Sequence, residues 1–171
     1  MKRKEIQLDL DLVFSCPITN PTTPVKMSDD DIIAEAKKIL NRRTRKGTTF
    51  TSAQSVKDYL QVTFAEEDRE HFMVIYLNTQ HQIISKEVLF TGTIDSAAVY
   101  PREVVKRSLE LGSAAIILAH NHPSGTMETS MADTTITDRI KTACDTVNIR
   151  LLDHFIATGQ GTLSMAERGQ I

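Results

Sequence analysis

The chain has only two cysteines, Cys16 and Cys144, far apart and without a CxxC half-site. That scarcity excludes a disulfide framework and a cysteine-built zinc knuckle, and it fits a reducing compartment. An excess of one charge is missing too: 20 basic against 22 acidic residues leave a net charge of −2. No global field therefore draws the molecule onto nucleic acid or an anionic membrane, and any such binding must be local. No apolar run approaches the roughly 20 residues a membrane span needs. Lys2, Arg3 and Lys4 could mimic the basic region of a signal peptide, but Asp9 and Asp11 interrupt the apolar stretch that would have to follow. The expected setting is cytoplasmic, with no membrane partner. Internal repeats and low-complexity tracts are absent as well.

What is present is an ordinary globular composition, 40% hydrophobic and 25% charged over 171 residues, enough for one domain and its core. Ile6, Leu8, Leu10 and Leu12 alternate with polar residues at the period of a half-buried strand, and Pro17, Pro21 and Pro24 then mark a linker. Ser28 with Asp31 forms a capping box opening a helix whose stripe is Ile32, Ile33, Ala36, Ile39 and Leu40. Ser52 caps a second helix carrying Val56, Tyr59 and Leu60 on one side. Residues 1–65 thus read as a mainly helical lead-in to a domain over 66–171.

From residue 70 the texture changes. FMVIYL at 72–77 and IISKEVLF at 83–90 read as a hairpin about the polar turn Asn78 to Gln82. Pro101 suits a first helical position and Gly112 a helix stop. AAIILA at 114–119 is a short apolar run of the kind covered on both faces, ending at His120. Ser130 opens a further helix, and IRLLDHFIA at 149–157 returns as a strand, while Gly159 to Ile171 carries little signal. The alternation indicates an α/β layered fold.

The chemistry concentrates in HNHPSGTMETSMAD, residues 120–133, between a buried strand and the next helix, where α/β sheets gather ligands. If strand geometry persists through His120 and His122, both imidazoles point to one side as a metal clamp. Pro123 and Gly125 let the chain turn, and Asp133 on the first helical turn can bring a carboxylate back to the same point. Two nitrogens and one oxygen suit one divalent ion, zinc above all, and three protein ligands leave a position open for water. Against this, Ser130 with Asp133 is also a plain capping box, and a lone histidine at a strand end is usually structural. It is the conjunction in one strand-loop-helix unit that favours the metal.

These residues carry a resemblance. H-x-H, seven residues, then S-x-x-D is similar to the signature of the JAMM (MPN-type) metalloproteases. The flanking YPREVV, LAHNHPSG and LLDHFIA resemble the RadC-like branch of that superfamily, over residues 66–168. The resemblance implies a deaminase-like α/β/α sandwich with a curved mixed sheet, and zinc-dependent cleavage of peptide or isopeptide bonds in a protein or peptide substrate. It also implies an upstream glutamate as general base, and Glu70 is the matching position, although Glu66, Glu67 and Asp68 are acids close by. Ser130 matches the family serine and could bind the attacking water or an oxyanion, with capping as the simpler role. The alternative is a non-catalytic metal-binding or DNA-repair-associated module on the same fold. Longer RadC-like members carry a helix-hairpin-helix region that residues 1–65 lack.

For DNA, the candidate contact is the basic cluster Lys37, Lys38, Arg42, Arg43, Arg45 and Lys46, though cations at a helix C-terminus commonly complement its dipole. His154 is expected to be a packing residue, and His71 and His81 carry no pattern.

Overall fold

The computed structural model describes residues 28–65, 67–92 and 99–171. The strand expected over 6–13 and the proline-marked linker lie outside them. Two helices come first, α1 (Asp29–Arg43) and α2 (Ala53–Thr63). Each opens on the serine expected from sequence, Ser28 and Ser52, whose side chain accepts the N–H three residues on. The hairpin follows as β1 (His71–Leu77) and β2 (Ile83–Thr91), then α3 (Pro101–Glu110), β3 (Ala115–Asn121), α4 (Met131–Asp145), β4 (Arg150–Thr158) and β5 (Gly161–Ser164). Among the described residues no helix is long and apolar enough to cross a membrane.

The five strands form one mixed sheet in the order β2-β1-β3-β4-β5. β3 and β4 run parallel, joined by the α4 crossover, and the other pairs are antiparallel. Alternation of side chains gives each strand two faces to cover. Met73, Ile75 and Leu77 of β1 with Ala115, Ile117 and Ala119 of β3 pack beneath Val56, Tyr59 and Leu60 of α2. Phe72, Val74, Tyr76, Ile116 and Leu118 point the other way, against Val104 of α3 and Ile140 and Cys144 of α4. The result is a three-layer α/β/α sandwich. Burying each such large apolar side chain is worth about 1.5–3 kcal/mol, so α2 is held by the same core as the sheet rather than by a separate one.

Two elements depart from expectation. β3 does not stop at residue 119 but continues through His120 and Asn121, both buried. Polar residues can end a central strand here because their side chains find partners, as described below. The tail contributes β5, which forms a hairpin on β4 and a small cluster of Ile156, Leu163 and Met165. Four residues reading GTLS are too short to show a period in the sequence.

Candidate metal centre

The register of the central strands sets the geometry. Phe72 of β1 stands opposite His120 of β3, so the residues entering β1 meet those leaving β3. His120 shares its face of the sheet with Ile116 and Leu118 and is 1% exposed. His122 lies one residue past β3, its N–H still bonded to the Ala157 carbonyl at 2.9 Å, which keeps it in step with the sheet. Both imidazoles therefore reach the same point, and His120 Nε2 and His122 Nε2 are 2.9 Å apart. The strand persists through the first histidine, and that one added pairing holds the second.

Helix α4 supplies the third group. Asp133 occupies its first turn, 7% exposed, with Oδ1 at 3.0 Å from His120 Nε2 and Oδ2 at 3.5 Å from His122 Nε2. Ser130 fixes this carboxylate: its hydroxyl and its backbone N–H both donate to Oδ2 at 2.7 Å, while its Oγ accepts from Asp133 N at 3.0 Å. The Ser130 hydroxyl proton is thus committed to Asp133, so capping and carboxylate orientation are one arrangement. Burial alone would raise the Asp133 carboxyl, but the His120 and His122 rings beside it and the hydrogen bonds from Ser130 outweigh it and hold the group well below the usual carboxylate range. The same contact with Asp133, against the opposing effect of burial, pushes His122 upward.

Glu70, the residue just before β1, completes the cluster. Its carboxylate and the ring nitrogens of His120 and His122 all lie within 4.8 Å of one another, close enough to bind a metal ion. The donor spacings test the fit. A tetrahedral ion with bonds of roughly 2.0–2.1 Å separates its ligand atoms by about 3.3 Å, and the three pairs among His120, His122 and Asp133 span 2.9, 3.0 and 3.5 Å. These residues fit a small divalent ion. His122 Nδ1 faces the Thr126 carbonyl at 2.9 Å, so that nitrogen carries the proton and Nε2 is free to bind.

Two contributors lay beyond sequence reasoning. Asn121 points to the opposite face from His120 and grips the entry of β1: its Oδ1 accepts from His71 N at 2.7 Å and its Nδ2 donates to the Arg69 carbonyl at 2.8 Å. The peptide units on both sides of Glu70 are thereby clamped, and the Glu70 carbonyl takes a third bond from Gly92 N at 2.7 Å. His154, expected to be a packing residue, is fully buried and meets His120 Nδ1 at 2.8 Å. The crossover explains it, since parallel pairing sets His154 opposite Leu118, one same-face step below His120. A strand-helix-strand reading that placed β4 beside β3 was the signal that could have found it.

Other predicted positions fall elsewhere. Lys37, Lys38, Arg42, Arg43, Arg45 and Lys46 lie on α1 and the loop after it, in the layer opposite α4. Lys38 pairs with Glu35 at 3.3 Å, and Arg42 and Arg43 occupy the last helical turn. His71 is engaged by Glu67 at 3.2 Å, and His81 by Arg150 at 2.9 Å. Glu66 is not among the described residues.

Comparison with known proteins agrees with this geometry. The RadC-like JAB domain family matches residues 50–170, a span that takes in α2 as well as the sheet. A UPF0758 protein of Marinomonas sp. (strain MWYL1) is 49% identical over 140 residues, 82% of this chain and 62% of that relative. A UPF0758 protein of Vibrio cholerae is 47% identical with the same coverage. The chain thus spans less than two-thirds of these relatives' length. The UPF0758 protein YfjY of Escherichia coli (strain K12) is 47% identical over 151 residues, covering 87% of this chain and 94% of the relative. With the sandwich, the histidine-carboxylate cluster and this match in agreement, the chain belongs to the RadC-like JAB domain family.

Proposed function

We propose that the protein is a metal-dependent hydrolase, with peptide or isopeptide bonds as its substrate class and zinc as its metal. The observation that carries this reading is the convergence of His120, His122 and Asp133 at tetrahedral spacings, with Glu70 beside them. His120, His122 and Asp133 would hold the ion. When bound, zinc supplies a Lewis acid that polarises a carbonyl and lowers the pKa of a water ligand to about 7.

The chain's own residues perform the rest. Glu70 takes the proton from the attacking water and delivers it to the leaving nitrogen, a shuttle that needs a carboxylate fixed beside the reacting atoms. Asn121 and Gly92 provide that fixity by holding the backbone on either side of Glu70. Ser130 keeps both oxygens of Asp133 turned toward the histidines. A cytoplasmic setting is part of the reading, supported by the buried free thiol of Cys144.

The test pairs metal analysis with a substrate panel. Purified protein should carry about one divalent ion per chain, the stoichiometry of a three-ligand site, and His122→Ala should carry none after dialysis. The metal-loaded wild type should cleave members of a peptide and isopeptide panel, and His122→Ala should not. Stoichiometric metal in a folded His122→Ala protein would overturn the site, and a loaded wild type inert across the panel would overturn the reaction class.

A further inference from the structure

Behind His120 runs a chain of buried groups that the proposed chemistry does not use. His154 Nε2 lies 2.8 Å from His120 Nδ1, His154 Nδ1 lies 2.6 Å from Thr137 Oγ1, and Thr137 Oγ1 lies 2.6 Å from the Asp133 carbonyl oxygen. Thr137 is 1% exposed and His154 0%, so no bulk water competes for these bonds.

Counting protons along the chain gives its direction. The Asp133 carbonyl can only accept, so the single hydroxyl proton of Thr137 goes there. The Thr137 oxygen then offers a lone pair to His154 Nδ1, which must donate. A fully buried imidazole whose direct hydrogen-bond partners are a hydroxyl and another imidazole has no anion in contact to hold a second proton, so His154 Nε2 is bare and accepts from His120 Nδ1–H. A bare His120 Nε2 then faces Asp133 Oδ1 at 3.0 Å and His122 Nε2 at 2.9 Å. A divalent cation at that point satisfies all of these converging lone pairs at once.

We propose that Thr137 and His154 form a hydrogen-bond relay that holds His120 with its proton on Nδ1 and presents bare Nε2 to the cation. The inference rests on reading His120 as a metal ligand. Both are positioning residues, acting through His120. The relay also ties the site together, because it ends on the backbone of Asp133, another ligand candidate in the same turn of α4. Its acceptor for His120 is a neutral ring, whereas a metal-bound histidine commonly donates to a carboxylate, carbonyl or water.

The test reads the tautomer directly. In metal-free protein at mildly alkaline pH, ¹⁵N shifts of the ring nitrogens should show His120 protonated at Nδ1 and bare at Nε2. Thr137→Val preserves shape but removes the acceptor for His154 Nδ1–H, so the His154 proton should move to Nε2 and drive the His120 proton onto its own Nε2. Zinc affinity, measured by competition with a chromophoric chelator, should then fall by roughly 10- to 100-fold, the scale for losing an outer partner of a ligand. Thr137→Ser, which keeps the hydroxyl, should restore both the shifts and the affinity. A wild-type His120 protonated at Nε2 overturns the relay without any variant being needed. So does a Thr137→Val protein with unchanged shifts and affinity within about twofold of wild type, well below that range. If wild type shows the Nδ1–H form but binds no zinc, the metal reading fails and the relay is left without its cation. The two failures are therefore distinguishable.

Discussion

Helices α1 and α4 open with the same four-residue box, Ser-x-x-Asp, and the two boxes close in the same way. Ser28 Oγ donates to Asp31 Oδ2 at 2.8 Å, and Ser130 Oγ donates to Asp133 Oδ2 at 2.7 Å, with the reciprocal backbone bond present in both. The surroundings separate them. α1 buries no residue and Asp31 is exposed, whereas α4 buries Asp133, Thr137, Ile140 and Cys144. The Asp31 carboxyl is lowered chiefly by the hydrogen bonds it accepts from Ser28. Burial would raise Asp133, and only the histidines together with Ser130 bring it down. The local pattern thus specifies a helix start, and β3 turns one of two such starts into a candidate site.

The largest expected effect comes from making the two boxes carry the same change. Asn keeps the shape of Asp and its ability to accept, so Asp31→Asn and Asp133→Asn should both leave the helices capped. Metal content should be lost in Asp133→Asn and unchanged in Asp31→Asn, as read by elemental analysis after dialysis. Equal metal content in the two variants would break the comparison.

Glu70→Gln comes next. It removes proton transfer while leaving His120, His122 and Asp133 in place, so metal should be retained. Hydrolysis of any substrate the wild type cleaves should fall by roughly 10²-fold or more, the usual scale for a positioned general base. An active Glu70→Gln enzyme would pass the role to another acid, with Glu67 and Asp68 the nearest described ones in the sequence.

Removing the caps themselves should cost less. Ser28→Ala and Ser130→Ala each lose an N-cap, worth about 0.5–2 kcal/mol, visible as a lower denaturation midpoint. Only Ser130→Ala should also weaken metal binding, because the Asp133 carboxylate loses the hydroxyl bond that helps aim it and keeps only the Ser130 N–H. A Ser130→Ala protein with wild-type affinity would show that the histidines and the Ser130 N–H orient the carboxylate without the hydroxyl.

The same contrast explains what could be read from sequence. The α/β order, the caps at Ser28, Ser52 and Ser130, and the grouping of His120, His122 and Asp133 follow from short-range spacing, which is legible without a fold. His154 was not legible as a site residue, because it reaches His120 only through the β3–β4 pairing that follows a long crossover. Asn121 escaped notice for the opposite reason. It sits inside the H-x-H motif, yet its side chain leaves by the other face to hold the peptides around Glu70. β5 was hidden by its length. Pairing across the sheet, rather than pattern along the chain, determines all three.

The smallest effect lies beneath α1 and sharpens the contrast from the other side. Lys86 of β2 tucks its ammonium against Thr44 Oγ1 at 2.6 Å and Asn41 Oδ1 at 3.3 Å, over the Tyr59 ring at 4.3 Å. These partners are neutral, so burial dominates and lowers the Lys86 pKa from 10.5 to about 8. Asp133 is the reverse case, a buried charge whose partners prevail. The sign follows from proton counting: between pH 8 and 10.5 the unfolded chain holds a proton on Lys86 that the folded chain has released. Stability therefore gains from this group as pH rises through that window and is unaffected by it above the upper limit. Lys86 is one basic group among many, so the informative quantity is the difference between wild type and Lys86→Met in urea midpoints across the window. Wild type should gain on the variant as pH rises from 8 toward 10.5. A constant difference would mean that Lys86 keeps its ordinary pKa and that α1 covers it too loosely to exclude water.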